Sequence, residues 1–346
     1  MTRETLRVAV PVLAAALALP LGARELPLSA FRFFAPAVQL TSAEAGLLQD
    51  GRPLVRMVDA DDGEIAVFAA VRTSADGPRL LQWVREIAAL KKSDAVTAIA
   101  RFSTPPRLDD LRTLELDDED LEAARDCRPG GCDLKLTSDE MASLRQIAAE
   151  AGEQWREAVQ TAFRQIALTR VREYLTSGHD AVGPYADRSR PVSLSEAFGG
   201  ILGNSTFLQE HVPELAAFLR HYPDAPGTRP ESLVYWSKER LGGRPTISAT
   251  HVAMLEPDAD GLPEAIVAGK QIFATHYTDG SLSVTTILRG ASPGEHYLAY
   301  LNRSRVDVLE RWYGGLVRGA IERRLRGDAG DILDGLRQRL ESGPPE

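Results

Sequence analysis

The feature that most constrains the fold is a succession of four strand-like segments that leads into a helix near the C-terminal end. The segments lie at 245–255, 265–277, 281–289 and 296–303. They are rich in β-branched and aromatic residues and are separated by turn-forming residues, a pattern typical of antiparallel strands. The helix predicted over 306–326 has apolar residues at helical spacing. An antiparallel meander closed by a C-terminal helix predicts an α+β fold.

An Asp-Gly dipeptide at 279–280 is the strongest hairpin signal in the chain and predicts a two-residue turn between the second and third segments. Such a turn would pair Tyr277 with Leu282. The more apolar face of the hairpin would then meet the C-terminal helix or a ligand. The members of that face would be Phe273, Thr275, Tyr277, Leu282, Val284, Thr286 and Leu288.

The rest of the chain divides into an N-terminal α+β part, 31–136, and a mostly helical insertion, 137–222. In the first part we expect a helix at 78–90 and strands at 54–58, 64–72, 96–102, 111–116 and 133–136. A capping box opens a helix over 137–176, which would be about 60 Å long if straight, so we expect a bend near Gly152. Residues 223–346 hold the meander and the C-terminal helices, and we expect them to form one domain with 31–136.

The N-terminal residues 1–30 are interpreted as a signal peptide and leader, with cleavage near residue 23 or residue 30. Arg3 and Arg7 precede an apolar run over 8–23, as in exported proteins. The alternative is an N-terminal helix of a cytosolic protein. Pro11 and Pro20 disfavour it, because proline inside a helix costs about 3 kcal/mol. The Arg-rich, Lys-poor composition is typical of a GC-rich bacterium, so a periplasmic or secreted location is predicted.

The two cysteines, Cys127 and Cys132, flank a Pro-Gly-Gly turn. In an exported protein such a pair predicts a disulfide. A metal site would need further Cys or His ligands close by in the sequence, and there are none. We therefore expect a structural disulfide and neither a metal nor a cofactor.

Composition narrows the range of partners. The formal net charge of −9 disfavours nucleic acid, which attracts basic surfaces. After the N-terminal run, no apolar segment approaches the roughly 20 residues needed to span a bilayer. The mature chain is thus expected to contain no transmembrane segment. The expected partners are therefore an apolar small molecule or a lipid, and a protein of the cell envelope.

The order of elements resembles the helix-grip fold of START and Bet v 1-like lipid-binding proteins. The resemblance implies a curved sheet that wraps a long C-terminal helix around an apolar cavity, with 137–222 as an added insertion. Two segments also resemble a poorly characterised group of exported bacterial proteins: Cys-Arg-Pro-Gly-Gly-Cys-Asp-Leu-Lys-Leu at 127–136 and Tyr-Leu-Asn-Arg-Ser-Arg-Val-Asp at 300–307. That group has no settled activity and implies no mechanism.

The leading hypothesis is a non-enzymatic protein that binds an apolar or amphipathic molecule, such as a lipid, between the C-terminal sheet and helix. Such pockets are mostly apolar with a few polar groups. The residues expected to line the pocket are Phe273, Tyr277, Val284, Tyr300, Trp312 and Leu316, with Arg303 or Arg305 at its mouth.

Two alternatives stay open at this point. The first is an envelope hydrolase that uses His251 or His276 as acid or base, with Asp279 or Glu295 as a carboxylate partner. It requires both histidines to share one cleft. The second is a structural or assembly protein that docks through the 137–176 helix. It requires an exposed apolar stripe on that helix.

Overall fold

The computed structural model describes residues 27–227, 229–240, 243–311 and 313–343. The predicted signal region, 1–26, and Trp312 lie outside the described residues. The strands form one eight-stranded antiparallel sheet in the order β1-β2-β8-β7-β6-β5-β4-β3. They are β1 Leu54–Val58, β2 Glu64–Thr73, β3 Val96–Arg101, β4 Glu231–Glu239, β5 Thr246–Leu255, β6 Ala265–Ala274, β7 Thr278–Arg289 and β8 His296–Val306. Strands from 31–136 and from 223–346 therefore share one sheet.

The helices fall into four groups: those before β3, a short helix between β3 and the insertion, those of the insertion and the long C-terminal helix. They are α1 Ser42–Gln49, α2 Gly77–Arg85, α3 Ile87–Leu90, α4 Asp118–Asp126, α5 Ser138–Glu150, α6 Trp155–Ser177, α7 Leu194–Gly203, α8 Thr206–His211, α9 Pro213–His221 and α10 Gly314–Glu341. The expected bend separates α5 from α6 at Gly152, whose φ of 57° suits glycine. The predicted α+β fold, with a helix-grip-like sheet and C-terminal helix plus a helical insertion, is confirmed.

The two faces of the sheet are covered by different helices. We call one the α10 face, because α2, α3 and the C-terminal half of α10 pack on residues such as Val71, Val267, Ile287 and Leu298. The other is the insertion face, where the helices of 137–222 pack. They cover residues that include Phe68, Ala268, Leu282, Val284, Leu301, Trp236 and Phe273. The core is therefore divided into two layers by the sheet.

The predicted turn at 279–280 is wrong. Strand β6 ends at Ala274, β7 starts at Thr278, and Lys270 rather than Tyr277 pairs with Leu282. Tyr277 takes the left-handed backbone conformation (φ 62°), and its hydroxyl accepts a hydrogen bond of 2.7 Å from the Arg244 amide. Tertiary contacts thus outweigh the local Asp-Gly preference. The register between β6 and β7 therefore differs from the predicted one by seven residues.

Further local differences have physical causes. The segment 111–116 is not a strand, because α6 side chains occupy its backbone groups: the Leu116 amide donates to Gln160 at 2.7 Å, and Arg164 donates to the Leu114 carbonyl at 2.8 Å. The segment 133–136 makes only single backbone bonds, such as that from the Lys135 amide to the Thr275 carbonyl. Strand β4 was not predicted. The helix expected over 306–326 begins later and extends to Glu341, and that expected over 78–90 is interrupted at Glu86.

Candidate functional site

The middle of the α10 face is a polar surface that the helices leave partly open. Along β7, Ser281, Ser283 and Thr285 are half-buried, whereas the alternating residues on the insertion face are buried. The same holds for Tyr300 and Asn302 of β8, which pair with Thr285 and Ser283. We call this surface the polar floor. Its residues are Thr250, Ser281, Ser283, Thr285, Tyr300 and Asn302.

Apolar packing borders the polar floor on two sides. At one end, apolar side chains of α2 and α3 cover the α10 face. At the other, the half-buried Val317, Ile321 and Leu325 of α10 pack against a small cluster that includes Ile65. An amphipathic molecule on this floor would therefore find polar groups beneath it and apolar groups beside it.

Hydrogen bonds attach the C-terminal half of α10 to α2 and α3, so this part of α10 keeps its position beside the polar floor. Arg339 donates to the Leu90 carbonyl at 2.6 Å, and the Trp83 indole donates to the Gly343 carbonyl at 2.8 Å. Thr73, at the end of β2, donates to Glu341 at 3.0 Å. The C-terminal end of the helix is thus held against α2, α3 and the end of β2.

Tyr300 lies at the centre of the polar floor. Burial raises the pKa of its phenol to about 12, with Lys91, Tyr235 and Glu239 also acting on it electrostatically. Tyr300 is on β8, whereas Tyr235 is on β4, four strands away, a distance of about 19 Å in a flat sheet. Both side chains nevertheless belong to the same cluster on the α10 face.

The charged groups near Tyr300 are paired with each other. The Lys91 ammonium donates to Glu239 at 2.7 Å and to the Tyr235 hydroxyl at 3.2 Å. Burial acts to raise the pKa of Glu239, but the nearby ammonium outweighs it and lowers that pKa. Burial likewise acts to lower the pKa of Lys91, and the carboxylate raises it. Ser237 donates a further bond of 2.6 Å to Glu239, so both groups of this pair are satisfied.

Side-chain amide and hydroxyl groups make up the other end of the floor. Asn302 donates to Ser281 at 3.0 Å, and the Ser304 hydroxyl lies 2.9 Å from both the Ser281 hydroxyl and the Asn302 amide oxygen. Hydroxyl and amide groups can both donate and accept hydrogen bonds. This arrangement suits recognition of oxygen atoms of a bound molecule.

The predicted ligand residues are not brought together. Val284 and Phe273 lie on the insertion face, opposite Tyr300. Leu316 points outward and is 82% exposed. The residues predicted to share one cavity therefore lie on opposite faces of the sheet, because Tyr300 pairs with Thr285 and Val284 points to the other face. Of the described residues in that set, Tyr300 alone belongs to the polar floor.

The arginines predicted at the mouth are held in ion pairs. Arg303 is buried on the insertion face and donates to Glu64 at 2.7 Å. Arg305 donates to Glu310 at 2.8 Å. Neither arginine lies on the polar floor. The polar groups of the floor are instead hydroxyls and one amide, which the sequence analysis did not predict as site residues. Their alternation with buried residues along β7 was the available signal.

The two candidate catalytic histidines have different surroundings. His251 lies 2.8 Å from the Tyr174 hydroxyl, and burial together with Lys270 lowers its pKa to about 3. His276 lies 3.1 Å from Asp120 through Nε2 and 3.0 Å from the Asp133 carbonyl through Nδ1. Both ring nitrogens of His276 are therefore within hydrogen-bond distance of oxygen atoms. The shared cleft required by the hydrolase hypothesis is not formed.

A buried ionic cluster joins the segment 127–136 to the segment 300–307. The ammonium of Lys135 lies 2.7 Å from Asp279, 3.0 Å from Asp307 and 3.6 Å from Asp187. Arg188 lies 2.6 Å from Asp279. Lys135 comes from the first segment and Asp307 from the second, so these distant segments meet. The cluster fixes the start of the insertion against the sheet.

The cysteine pair is confirmed at disulfide distance, with a Cα–Cα separation of 4.7 Å between Cys127 and Cys132. Within the described ranges, no group of three or more His, Cys, Asp or Glu side chains is arranged to hold a metal ion. No helix in the described part of the chain is long and apolar enough to cross a membrane.

Comparison with known proteins gives no family assignment: no protein-family model matches the chain, and no curated protein matches it.

Proposed function

We propose that this protein binds a small amphipathic molecule, such as a lipid, on the α10 face and does not act on it chemically. The observation that supports the proposal is the half-buried polar floor between two apolar borders. A sheet face that is fully covered by its helices would have buried residues along its whole length. Here, Ser281, Ser283 and Thr285 keep part of their surface accessible between the packed regions.

The proposed site lies in the region predicted from the sequence, between the sheet and the C-terminal helix. Most of its residues differ from those that were predicted. The polar end of a ligand would meet Tyr300, Asn302 and Thr285, and its apolar part would contact the borders formed by α2 and α10. Burial of apolar surface would supply most of the affinity, at roughly 25 cal/mol per Å², and the hydroxyls would orient the ligand.

The test is to fill the polar floor with a large side chain. Ser283→Trp places an indole at the centre, and Glu150→Trp places one at an exposed position at the end of α5 as a matched control. Nile red, an uncharged apolar dye, serves as the probe in a fluorescence titration. We expect saturable binding to the wild type and to the control, and binding weakened by about tenfold or more by Ser283→Trp, because a filled site excludes the dye.

Equal binding by both variants, or no saturable binding by the wild type, would contradict the proposal. Thermal unfolding of each variant shows whether the fold is intact before binding is compared.

Export is also proposed, on the basis of the N-terminal 30 residues. The full chain, produced in a Gram-negative host with a C-terminal tag, should accumulate in the periplasmic fraction with a mass lowered by about 23 to 30 residues, as removal of a signal peptide requires. Accumulation of the full-length mass in the cytosol would contradict export.

The assembly alternative gains no support from the 137–176 region. Among the described residues, the large apolar side chains with high exposure are Leu108, Leu316 and Ile332. None of them is on α5 or α6, so the exposed apolar stripe that this alternative requires is not formed there.

A further inference from the structure

The charges around the polar floor are compensated within the protein. The two charged side chains that act most strongly on the Tyr300 phenol are Lys91 and Glu239, and they form an ion pair of 2.7 Å. On α10, the half-buried Asp334 and Arg337 pair with each other at 3.1 Å. The remaining floor groups are hydroxyls and one amide. Among the residues that the structure describes around it, the floor therefore offers hydrogen bonds but no unpaired charge to a ligand.

We propose that the ligand of this site is an uncharged amphiphile whose head group presents hydroxyl or carbonyl oxygens, and that carboxylate and other charged head groups are rejected. This inference rests on the proposed function and specifies the chemical class of the ligand.

The rejection has a physical basis. A carboxylate on the floor would lose its hydration and gain no unpaired cation, because the charge of the Lys91 ammonium is already neutralised by Glu239 at 2.7 Å. Burying an ionised group without a partner costs several kcal/mol. A hydroxyl or ester head group can instead exchange its water hydrogen bonds for bonds to Tyr300, Asn302 and Thr285.

Two ligands with the same acyl chain and different head groups test the inference. 1-Monodecanoylglycerol is uncharged, and decanoate is ionised at pH 8. Each is titrated into the wild-type protein by calorimetry below its aggregation concentration. We expect the glyceride to bind at least about tenfold more tightly, since the charged head group loses solvation without compensation.

A variant that releases the ammonium should weaken or abolish this preference. Glu239→Gln leaves Lys91 without its carboxylate, so we expect decanoate to bind about tenfold more tightly than to the wild type through a charge-assisted hydrogen bond. Glu231→Gln is the matched control: it makes the same change on the same strand and breaks a surface pair with Arg85 (2.7 Å), and decanoate binding should not change. Lys91→Met, which leaves the carboxylate alone, should not strengthen decanoate binding either.

The outcomes separate the two proposals. If both compounds bind the wild type equally, or decanoate binds more tightly, ligand binding stands and the head-group inference is overturned. If Glu239→Gln does not strengthen decanoate binding although thermal unfolding shows it folded, the role assigned to the ion pair is overturned. If neither compound binds and Nile red does not bind, the proposed function fails, and this inference fails with it.

Discussion

Lys270 provides the most quantitative prediction, because it is a buried amine without a carboxylate partner at hydrogen-bond distance among the described residues. Its ammonium donates to the Leu219 carbonyl at 2.8 Å and lies over the rings of Phe198 and Tyr174, at 4.4 and 5.2 Å from their centroids. Burial lowers its pKa to about 7 from an ordinary value of 10.5, with Asp180 acting to raise it. The perturbation we choose is Lys270→Met, which keeps an unbranched side chain of similar length.

The sign follows from proton linkage. Because the folded-state pKa is lower than the unfolded-state pKa, the unfolded chain binds the proton more readily between pH 10.5 and pH 7. The free energy of unfolding of the wild type should therefore fall across this range as the pH is lowered, by up to about 1.4 kcal/mol per pH unit from this group. Between pH 10 and pH 7 the two pKa values give a loss of about 3 kcal/mol. Below pH 7 the contribution levels off.

Lys270→Met removes this titration. It also leaves the Leu219 carbonyl without its donor, which costs about 1 to 3 kcal/mol, but that cost is the same at every pH. The quantity to measure is the difference in unfolding free energy between variant and wild type, from urea denaturation at several pH values between 7 and 10. We expect the variant to gain about 3 kcal/mol relative to the wild type from pH 10 to pH 7.

Lys92→Met, at an exposed lysine of the same chain, is the matched control, and its pH profile should follow that of the wild type. A difference between Lys270→Met and wild type that stays constant from pH 7 to pH 10 would refute the reasoning. So would a variant that becomes less stable relative to the wild type as the pH is lowered.

Three further predictions concern stability. Because burial lowers the pKa of His251 to about 3 from 6.5, the free energy of unfolding should fall as the pH drops below 6.5. In urea denaturation between pH 7 and pH 4, His251→Phe should make the unfolding free energy depend less steeply on pH. An unchanged pH dependence would contradict the burial argument. Lys135→Met should destabilise the fold by about 3 to 5 kcal/mol, since it leaves Asp279 and its neighbours buried without their cation; a loss under 1 kcal/mol in denaturation would show the cluster to be dispensable. Replacing Cys127 and Cys132 together by serine should lower the free energy of unfolding by about 2 kcal/mol, the value for so short a loop. Thermal unfolding measures this loss. A variant as stable as the oxidised wild type would show that the disulfide does not stabilise the fold.

The sequence allowed prediction of the features that depend on local chemistry. The strand over Leu54–Val58, the capping box at Thr137 and the bend at Gly152 all appear in the structure. Each depends on residues that are neighbours in the chain, such as a cap and the amide three residues later. Periodicity likewise located β5, β7 and β8 closely.

The candidate site could not be predicted in the same way, because it depends on which residues share a face. The register between β6 and β7 is set by Tyr277 and by the burial of Asp279 beside Lys135, and these contacts come from segments more than 30 residues away. The pairing of β7 with β8 places Thr285 rather than Val284 on the face that carries Tyr300. Lys91, which contributes to the site, lies at the end of α3, and its pairing with Glu239 spans 148 residues.

The most direct test of ligand binding at the polar floor is mass spectrometry of the small molecules released on denaturation from protein purified gently from its native source. The account predicts a stoichiometric, uncharged amphiphile from the wild type and its loss from Ser283→Trp purified in the same way. A wild-type protein that releases nothing, or a Ser283→Trp protein that releases the same molecule in the same amount, would contradict it.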